Sequence, residues 1–385
     1  MLWVGASLSG NAGDLGYRSG MGLTSWVAGV AAGLSIVVSG AGTAVAEPDS
    51  VVGVQVGVTT MHLVDGQRAD PWRRGARREL IVTMHYPAVG GGSYPVADNR
   101  LVGLPQPLVA ARARVGAPAA GGARTLPVVL FSPAVGFPAR TGTSMAEDLA
   151  GRGYVVVSVE DTHGALPGTV LPDGRVEWYD LRNLTDIRAA VRTSSEARAG
   201  DIRFVLDELT AMADGGHRTL PTGLAAAMDP GRVGMVGHSL GGTMAVVGDA
   251  RIRAGIDLDG YPPPSYLAPG LVADPQRPLL FLFGDTPDPE VRRKSIDQLL
   301  AGRTGWTRRL ALAGAGHWSF CDIAFAPRVI TESPLLTRAF GTIGPERAHL
   351  VTRTYVAAMF DRFLRGLPAP ELDAPDLFPE VSPAP

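Results

Sequence analysis

Residues 237–242 read Gly-His-Ser-Leu-Gly-Gly, and no other stretch constrains this chain as tightly. The apolar run Arg232-Val-Gly-Met-Val236 precedes it and Thr243-Met-Ala-Val-Val247 follows, so a strand turns sharply into a helix there. A Gly-x-Ser-x-Gly turn in that setting lifts a serine hydroxyl above a sheet as a nucleophile. The glycines are needed because the turn is tight and a side chain would meet the neighbouring strand or helix. With 49 glycines in 385 residues, the five-residue pattern arises readily by chance, so the flanking strand and helix must carry the inference. Ser239 is expected to be the nucleophile.

The rest of the chain bounds what that serine can work with. Its 45% apolar and 19% charged content is that of a globular protein, long enough for one large α/β domain. A net charge of −2 gives no electrostatic reason to expect a nucleic-acid partner. Lys294 is the only lysine, and the cluster Arg73, Arg74, Arg77 and Arg78 is expected to form a solvated loop. The single cysteine, Cys321, excludes an intramolecular disulfide and a multi-cysteine metal site. With no His-Glu-x-x-His, P-loop or dinucleotide fingerprint, the chemistry is expected to need neither metal nor cofactor.

Leu23 to Val45 is apolar and rich in small residues, and Ala44-Val45-Ala46 before Glu47-Pro48 matches an A-x-A cleavage site. Arg18 supplies a meagre positive flank. The stretch Leu23–Val38 is short and glycine-rich for a membrane span. Residues 1–46 are therefore expected to be a cleaved signal peptide, and the protein secreted or held in the cell envelope. Residues 47–366 are expected to form one catalytic domain, and the proline-rich residues 367–385 a loose tail.

Along the body, Glu79–Tyr86 alternates as an early strand, and Pro127–Ser132 and Tyr154–Glu160 are nearly continuous apolar runs. Such runs mark parallel strands buried on both faces. Further strands are expected at Arg232–Val236, Ala254–Leu258, Pro278–Phe283 and Trp306–Leu312. Helices are expected over Thr143–Arg152, Asp186–Met212 with Thr185 as N-cap, from Asp288 to near Gly302, and Pro345–Arg365. Residues 88–126 and 161–184 read as loop-rich excursions, with His163 on a surface loop. The alternation predicts an α/β fold, a doubly wound and mainly parallel sheet flanked by helices.

A serine hydroxyl needs a general base and a group to orient that base. Only His317 and His349 follow Ser239. His349 falls within the terminal helix, whereas His317 lies in Ala313-Gly-Ala-Gly-His-Trp-Ser319, a turn directly after a strand, where a base can reach the serine. For the acid, Asp259 and Asp285 both follow predicted strands at their C-terminal ends, where active sites of open sheets lie. Position alone favours Asp285, one strand before the histidine, and Asp257 shares the strand of Asp259. The oxyanion hole is expected to combine the backbone N–H of Leu240 with that of Ala134 or Val135, since Pro133 has none to give.

Several stretches together resemble a bacterial branch of the platelet-activating factor acetylhydrolase family, within the α/β-hydrolases. They are Met84–Ala88, Val128–Gly136, Gly151–Glu160, Gly237–Gly242, Leu258-Asp-Gly260 and Gly316-His-Trp-Ser-Phe-Cys-Asp322, in the family's order across residues 80 to 325. The resemblance implies the α/β-hydrolase fold, Asp259 as the acid with Asp285 in reserve, and Val135 as the second oxyanion donor. One departure stands out: the family's His-Gly before that donor is Pro133-Ala134 here.

The function these features predict is serine esterase chemistry on a small-molecule or lipid ester, proceeding through an acyl-enzyme. The resemblance implies short acyl or acetyl esters, including platelet-activating-factor-like phospholipids. Cutinase-like polyester hydrolysis and general carboxylesterase activity fit the same residues, and a catalytically silent binding protein on this fold is the reading from another class. A peptidase is disfavoured because no additional propeller domain is apparent. Trp318, beside the expected base, either lines the acyl pocket or wedges its loop into the core. Tyr261 is a candidate substrate contact, and Tyr261–Tyr266 with Trp178-Tyr179 are candidates for transient contact with a lipid surface, ordinary loop packing being the alternative.

Overall fold

The computed structural model describes residues 54–90, 93–98, 100–101, 107–180, 186–216, 219–285, 288–326, 338–374 and 377–385. The expected signal peptide lies outside these residues. The chain opens with a long antiparallel pair, β1 (Gln55–Ala69) and β2 (Arg77–Ala88), followed by the short β3 (Arg114–Val115). Then come β4 (Leu126–Ser132), helix α1 (Thr143–Gly151) and β5 (Val155–Val159). A two-stranded hairpin, β6 (Gly168–Val170) and β7 (Val176–Trp178), precedes the long helix α2 (Ile187–Ala213). The second half runs β8 (Met228–His238), α3 (Leu240–Val247), β9 (Ile252–Leu258), β10 (Leu279–Phe283), α4 (Pro289–Leu299), β11 (Thr307–Leu312), α5 (Pro345–Arg365) and β12 (Val381–Pro383).

All strands except the hairpin join one ten-stranded sheet in the order β12-β11-β10-β9-β8-β4-β5-β2-β1-β3. The six strands from β5 to β11 are parallel to their neighbours, while β2 and β12 run antiparallel at the two flanks. Every residue of β4 and β10 is buried, which explains their unbroken apolar runs: helices cover both faces. Val205 and Leu209 of α2, Met244 of α3 and Ile296 of α4 pack on one face. Leu149 of α1 and Tyr355 and Phe360 of α5 pack on the other. The arrangement is the doubly wound sheet that the strand–helix alternation predicts. Among the described residues no helix is long and apolar enough to cross a membrane.

The helix ends follow local chemistry. The Asp186 side chain accepts from the Arg188 and Ala189 N–H groups and so caps α2; the expected cap, Thr185, lies outside the described residues. Helix α5 begins with Pro345 and stops at Gly366, whose φ of 67° suits glycine.

Three expectations need correction. Arg78 does not sit in a solvated loop: its side chain is fully buried and donates to Asp70, Asp161, Asp201 and the Thr162 carbonyl. A guanidinium in the core is tolerable because carboxylates and a carbonyl occupy its donors. His163 is also buried, at a φ of 68°, with Asp70 and Glu177 on either side at 3.7 and 3.8 Å. The C-terminal residues are not a loose tail. They add β12 antiparallel to β11, and Leu372 and Val381 are buried against the α5 face. Proline-rich composition suggested looseness, but one apolar side chain every few residues suffices to hold the segment down.

Ending the chain at Gly366 removes the burial of Leu372 and Val381, about 3–6 kcal/mol at roughly 1.5–3 kcal/mol per side chain. The expected loss in Tm is roughly 5–15 °C in a thermal melt. An unchanged Tm would mean that the segment does not contribute to the fold.

Candidate active site

Ser239 stands between β8 and α3 with φ 59° and ψ −125°, a backbone conformation that costs energy in any residue but glycine. Its N–H donates to the Leu258 carbonyl at 2.8 Å, and its own carbonyl accepts from the Thr243 N–H at 3.1 Å, so the strain is held from both sides. The flanking glycines are dictated by contact. A Cβ on Gly237 would lie 2.2 Å from the Gly241 carbonyl carbon, and one on Gly241 would lie 2.0 Å from the Ser132 oxygen. The turn brings Ser239 to the C-terminal edge of the sheet, beside the ends of β4 and β9.

At the end of β9, Asp259 has a φ of 56° and its N–H donates to the Leu282 carbonyl at 2.9 Å. One carboxylate oxygen accepts from the Gly284 N–H at 3.0 Å, and the other lies 2.6 Å from His317 Nδ1. The aspartate side chain is 4% exposed and the imidazole 20%. A charged partner on Nδ1 fixes the tautomer with the proton on that nitrogen, leaving Nε2 as the atom able to take up a proton.

The competing residues are placed elsewhere. Asp285 is exposed, and its carboxylate accepts from the Gly314 N–H at 2.9 Å while its own N–H donates to Ala315 O at 2.7 Å. It staples the loop that carries His317 without contacting the imidazole through any of these bonds. Asp257 is fully buried and accepts from the Gly260 N–H at 2.7 Å; burial pushes its carboxyl well above the usual range. His349 sits on α5 with Nε2 3.2 Å from Cys321 O, and burial lowers it to about 4.

Leu240 opens α3, so its N–H has no acceptor one turn back in the helix. Val135 lies in the loop after β4, between two anchored points. Ala134 O accepts from Phe137 N–H at 3.2 Å, and Gly136 pairs with the 164–166 segment in both directions at 3.0 Å. The two N–H groups expected to face an oxyanion thus come from the start of a helix and from a loop pinned at both ends.

Trp318 is not an exposed wall of the site. It is 2% exposed, edge-on to Phe340 at 5.1 Å and to Phe137 at 5.8 Å, and so wedges the His317 loop into the protein. Tyr261 is half-buried two residues beyond Asp259 and packs against the main core. Of the foreseen apolar surface, Trp178 is 63% exposed, whereas Tyr179 and Tyr266 are buried.

Two contributors were given no role from sequence. His238, the residue before Ser239, places Nε2 2.7 Å from the His317 carbonyl and its ring 4.6 Å from the His317 ring. Burial holds His238 well below the usual histidine range, so it is a neutral donor that fixes the backbone of His317. Asp322 closes the same loop from its other end. Its carboxylate accepts from the Ser144 N–H at 3.1 Å and also bonds Ser144 Oγ, capping α1, which has no cap of its own. The spacing of His317 and Asp322 was visible in sequence, but the helix it caps is 178 residues away.

No family model matches the chain. A ferulic acid esterase from Streptomyces cinnamoneus, known as a solved structure, superposes with a TM-score of 0.73 and 32% identity, covering 89% of this chain and all of that one. A probable 1-alkyl-2-acetylglycerophosphocholine esterase of Arthroderma benhamiae is 28% identical over 169 residues. That match spans 40% of this chain and 38% of the relative's own length.

The geometry separates the two aspartates in a turnover assay with a chromogenic ester. Asp259→Asn is expected to lower kcat roughly 10⁴-fold by mispositioning the imidazole proton, and Asp285→Asn to lower it less than about tenfold. Equal losses would contradict the division of roles. Burial raises the Asp322 carboxyl to about 7, against hydrogen bonds from Ser144 that pull it down. A folded value above the unfolded one gives stability that is present at about pH 4 and lost as pH rises through about 7. Asp322→Asn should therefore show a flatter decline in Tm than the parent between about pH 5 and pH 8; identical profiles would show that the group does not titrate there.

Proposed function

The chain belongs to the esterases of the α/β-hydrolase fold, and on that premise we propose that it is a serine carboxylic-ester hydrolase acting through an acyl-enzyme. The observation that carries this reading is the 2.6 Å contact of His317 with Asp259 beside the strained turn of Ser239. Ser239 Oγ attacks the ester carbonyl while His317 Nε2 takes its proton. Asp259, its second oxygen occupied by the Gly284 N–H, holds the imidazole and stabilises its cation. The N–H groups of Leu240 and Val135 receive the oxyanion, each contributing about 3 kcal/mol to the transition state. His317 returns the proton to the leaving alcohol, and water then releases the acid by the same steps in reverse order.

The substrate class we assign is esters of short acyl groups, acetyl esters of phospholipids among them, met outside the cytoplasm. The partial likeness to an acetylglycerophosphocholine esterase supports it. A second reading, esters of hydroxycinnamic acids, is favoured by the far broader match to a ferulic acid esterase.

The test is labelling of the protein with a fluorophosphonate, followed by turnover of p-nitrophenyl acetate through palmitate and of methyl ferulate. Ser239→Ala should abolish labelling and cost roughly 10⁶-fold in kcat. Turnover falling with acyl length supports the short-acyl assignment, and preference for the ferulate supports the second. Labelling that survives in Ser239→Ala would overturn the assignment of the nucleophile.

A further inference from the structure

Beneath the loop that carries Val135 lies a buried cation that no step above uses. Arg198, from the middle of α2, is 4% exposed. A guanidinium has five N–H donors, and the structure places a partner for each. Nε and one Nη2 hydrogen go to Asp161 Oδ2 at 3.2 and 2.9 Å. One Nη1 hydrogen goes to Ser132 Oγ at 3.2 Å and the other to the Pro133 carbonyl. The second Nη2 hydrogen goes to the Ala134 carbonyl at 3.3 Å. Three successive residues, ending one before the oxyanion donor, are thus gripped by a single planar group. Asp161 is itself held on its other oxygen by Arg78 at 3.3 Å, so the clamp is anchored to the sheet.

We propose that Arg198 is a positioning residue for the oxyanion hole, setting the direction of the Val135 N–H through the Ala134 carbonyl. The inference rests on the serine-esterase reading above. The Ala134–Val135 peptide is trans, because the one cis bond in the described residues is Leu166-Pro167. In a trans peptide the C=O and N–H share a rigid plane and point in opposite directions. Fixing the oxygen on a buried guanidinium therefore fixes the hydrogen on the far side. The cation also polarises that peptide, strengthening its N–H as a donor where charge develops. The clamp is compatible with Pro133, since it uses that residue's carbonyl and asks for no N–H from it.

The experiment compares the parent with Arg198→Lys, which keeps the charge but loses the planar fork. The readouts are kcat, KM, Tm and affinity for a boronic acid that mimics the tetrahedral intermediate. Expected are a fall in kcat of about 10²-fold, KM within about threefold, and boronate affinity falling in step with kcat/KM. Arg198→Ala should regain activity with millimolar guanidinium and not with ammonium. A lowered Tm with kcat and boronate affinity unchanged would make Arg198 purely structural and overturn the proposal. If the Arg198 variants do not fold, Ser132→Ala removes one bond of the same clamp. A fall in its kcat by about threefold to tenfold at constant KM supports the proposal, and an unchanged kcat overturns it. An inactive parent that resists fluorophosphonate would instead remove the esterase reading itself.

Discussion

The active-site region hangs on backbone packed against backbone at the start of α3. Gly237 touches Gly241, Gly241 touches the Ser132 and Pro133 carbonyls, and Gly242 touches the Asp257 carboxylate. Gly260, just after Asp259, would place a Cβ 2.1 Å from the Ser239 oxygen. These approaches tie four things into one knot: the turn at Ser239, the loop that carries Val135, the end of β9, and the first turn of the helix. A methyl group at any of these positions would have to push two elements apart, and the elements carry different parts of the site. The strained φ of Ser239 persists because the knot over-determines it.

Around that knot the protein spends buried charge rather than apolar packing. Asp161 accepts from both Arg78 and Arg198, and Asp201 accepts from Arg78 and Arg68. Desolvating so many ions is costly, and apolar residues of the same volume would give a fold at least as stable. Guanidinium groups offer something that apolar packing lacks, namely direction. Each fixes the orientation of carbonyls as well as carboxylates: Thr162 for Arg78, Pro133 and Ala134 for Arg198. The loops after β4 and β5 are thereby set relative to each other without regular secondary structure.

The central strands, the helices that cover them, the tight turn at Ser239 and the turn after β11 that carries His317 were legible in sequence because each has a local signature. Strands buried on both faces read as apolar runs, and a nucleophile turn reads as glycines around a serine. What was not legible depends on pairing across the fold. The first strand, Gln55–Ala69, alternates too weakly to stand out, since outside its two-residue contact with β3 it pairs only with β2, which sets its register. Arg78 looked solvated beside three other arginines because nothing local shows that Asp161 and Asp201 converge on it. Whether Trp318 lines the site or wedges its loop into the core has no local signal, and it is Phe137 and Phe340, distant in sequence or across the loop, that draw its ring inward. His238 occupies the variable position of the turn, so its bond to the His317 carbonyl has no sequence signal.

The acid illustrates how adjacency in sequence order misleads. Counting strands back from His317 favours Asp285, which follows the immediate neighbour β10. The sheet shows why the next strand supplies the partner instead. The loop after β11 crosses the end of β10, where Asp285 and Ala315 bond it down, and it arrives over β9. Ser239 follows β8, on the far side of β9, so a loop that arrives over β9 brings the His317 imidazole to the strand next to the serine's, while one that stopped over β10 would leave it a strand further away. Gly284 follows from the same geometry. It lies under the crossing loop, with a Cβ position 2.6 Å from the Ala315 oxygen, and its N–H is spent on the second oxygen of Asp259. One aspartate orients the imidazole and the other holds down the loop that delivers it. Both follow the ends of adjacent strands, and a shift of one strand decides which does which.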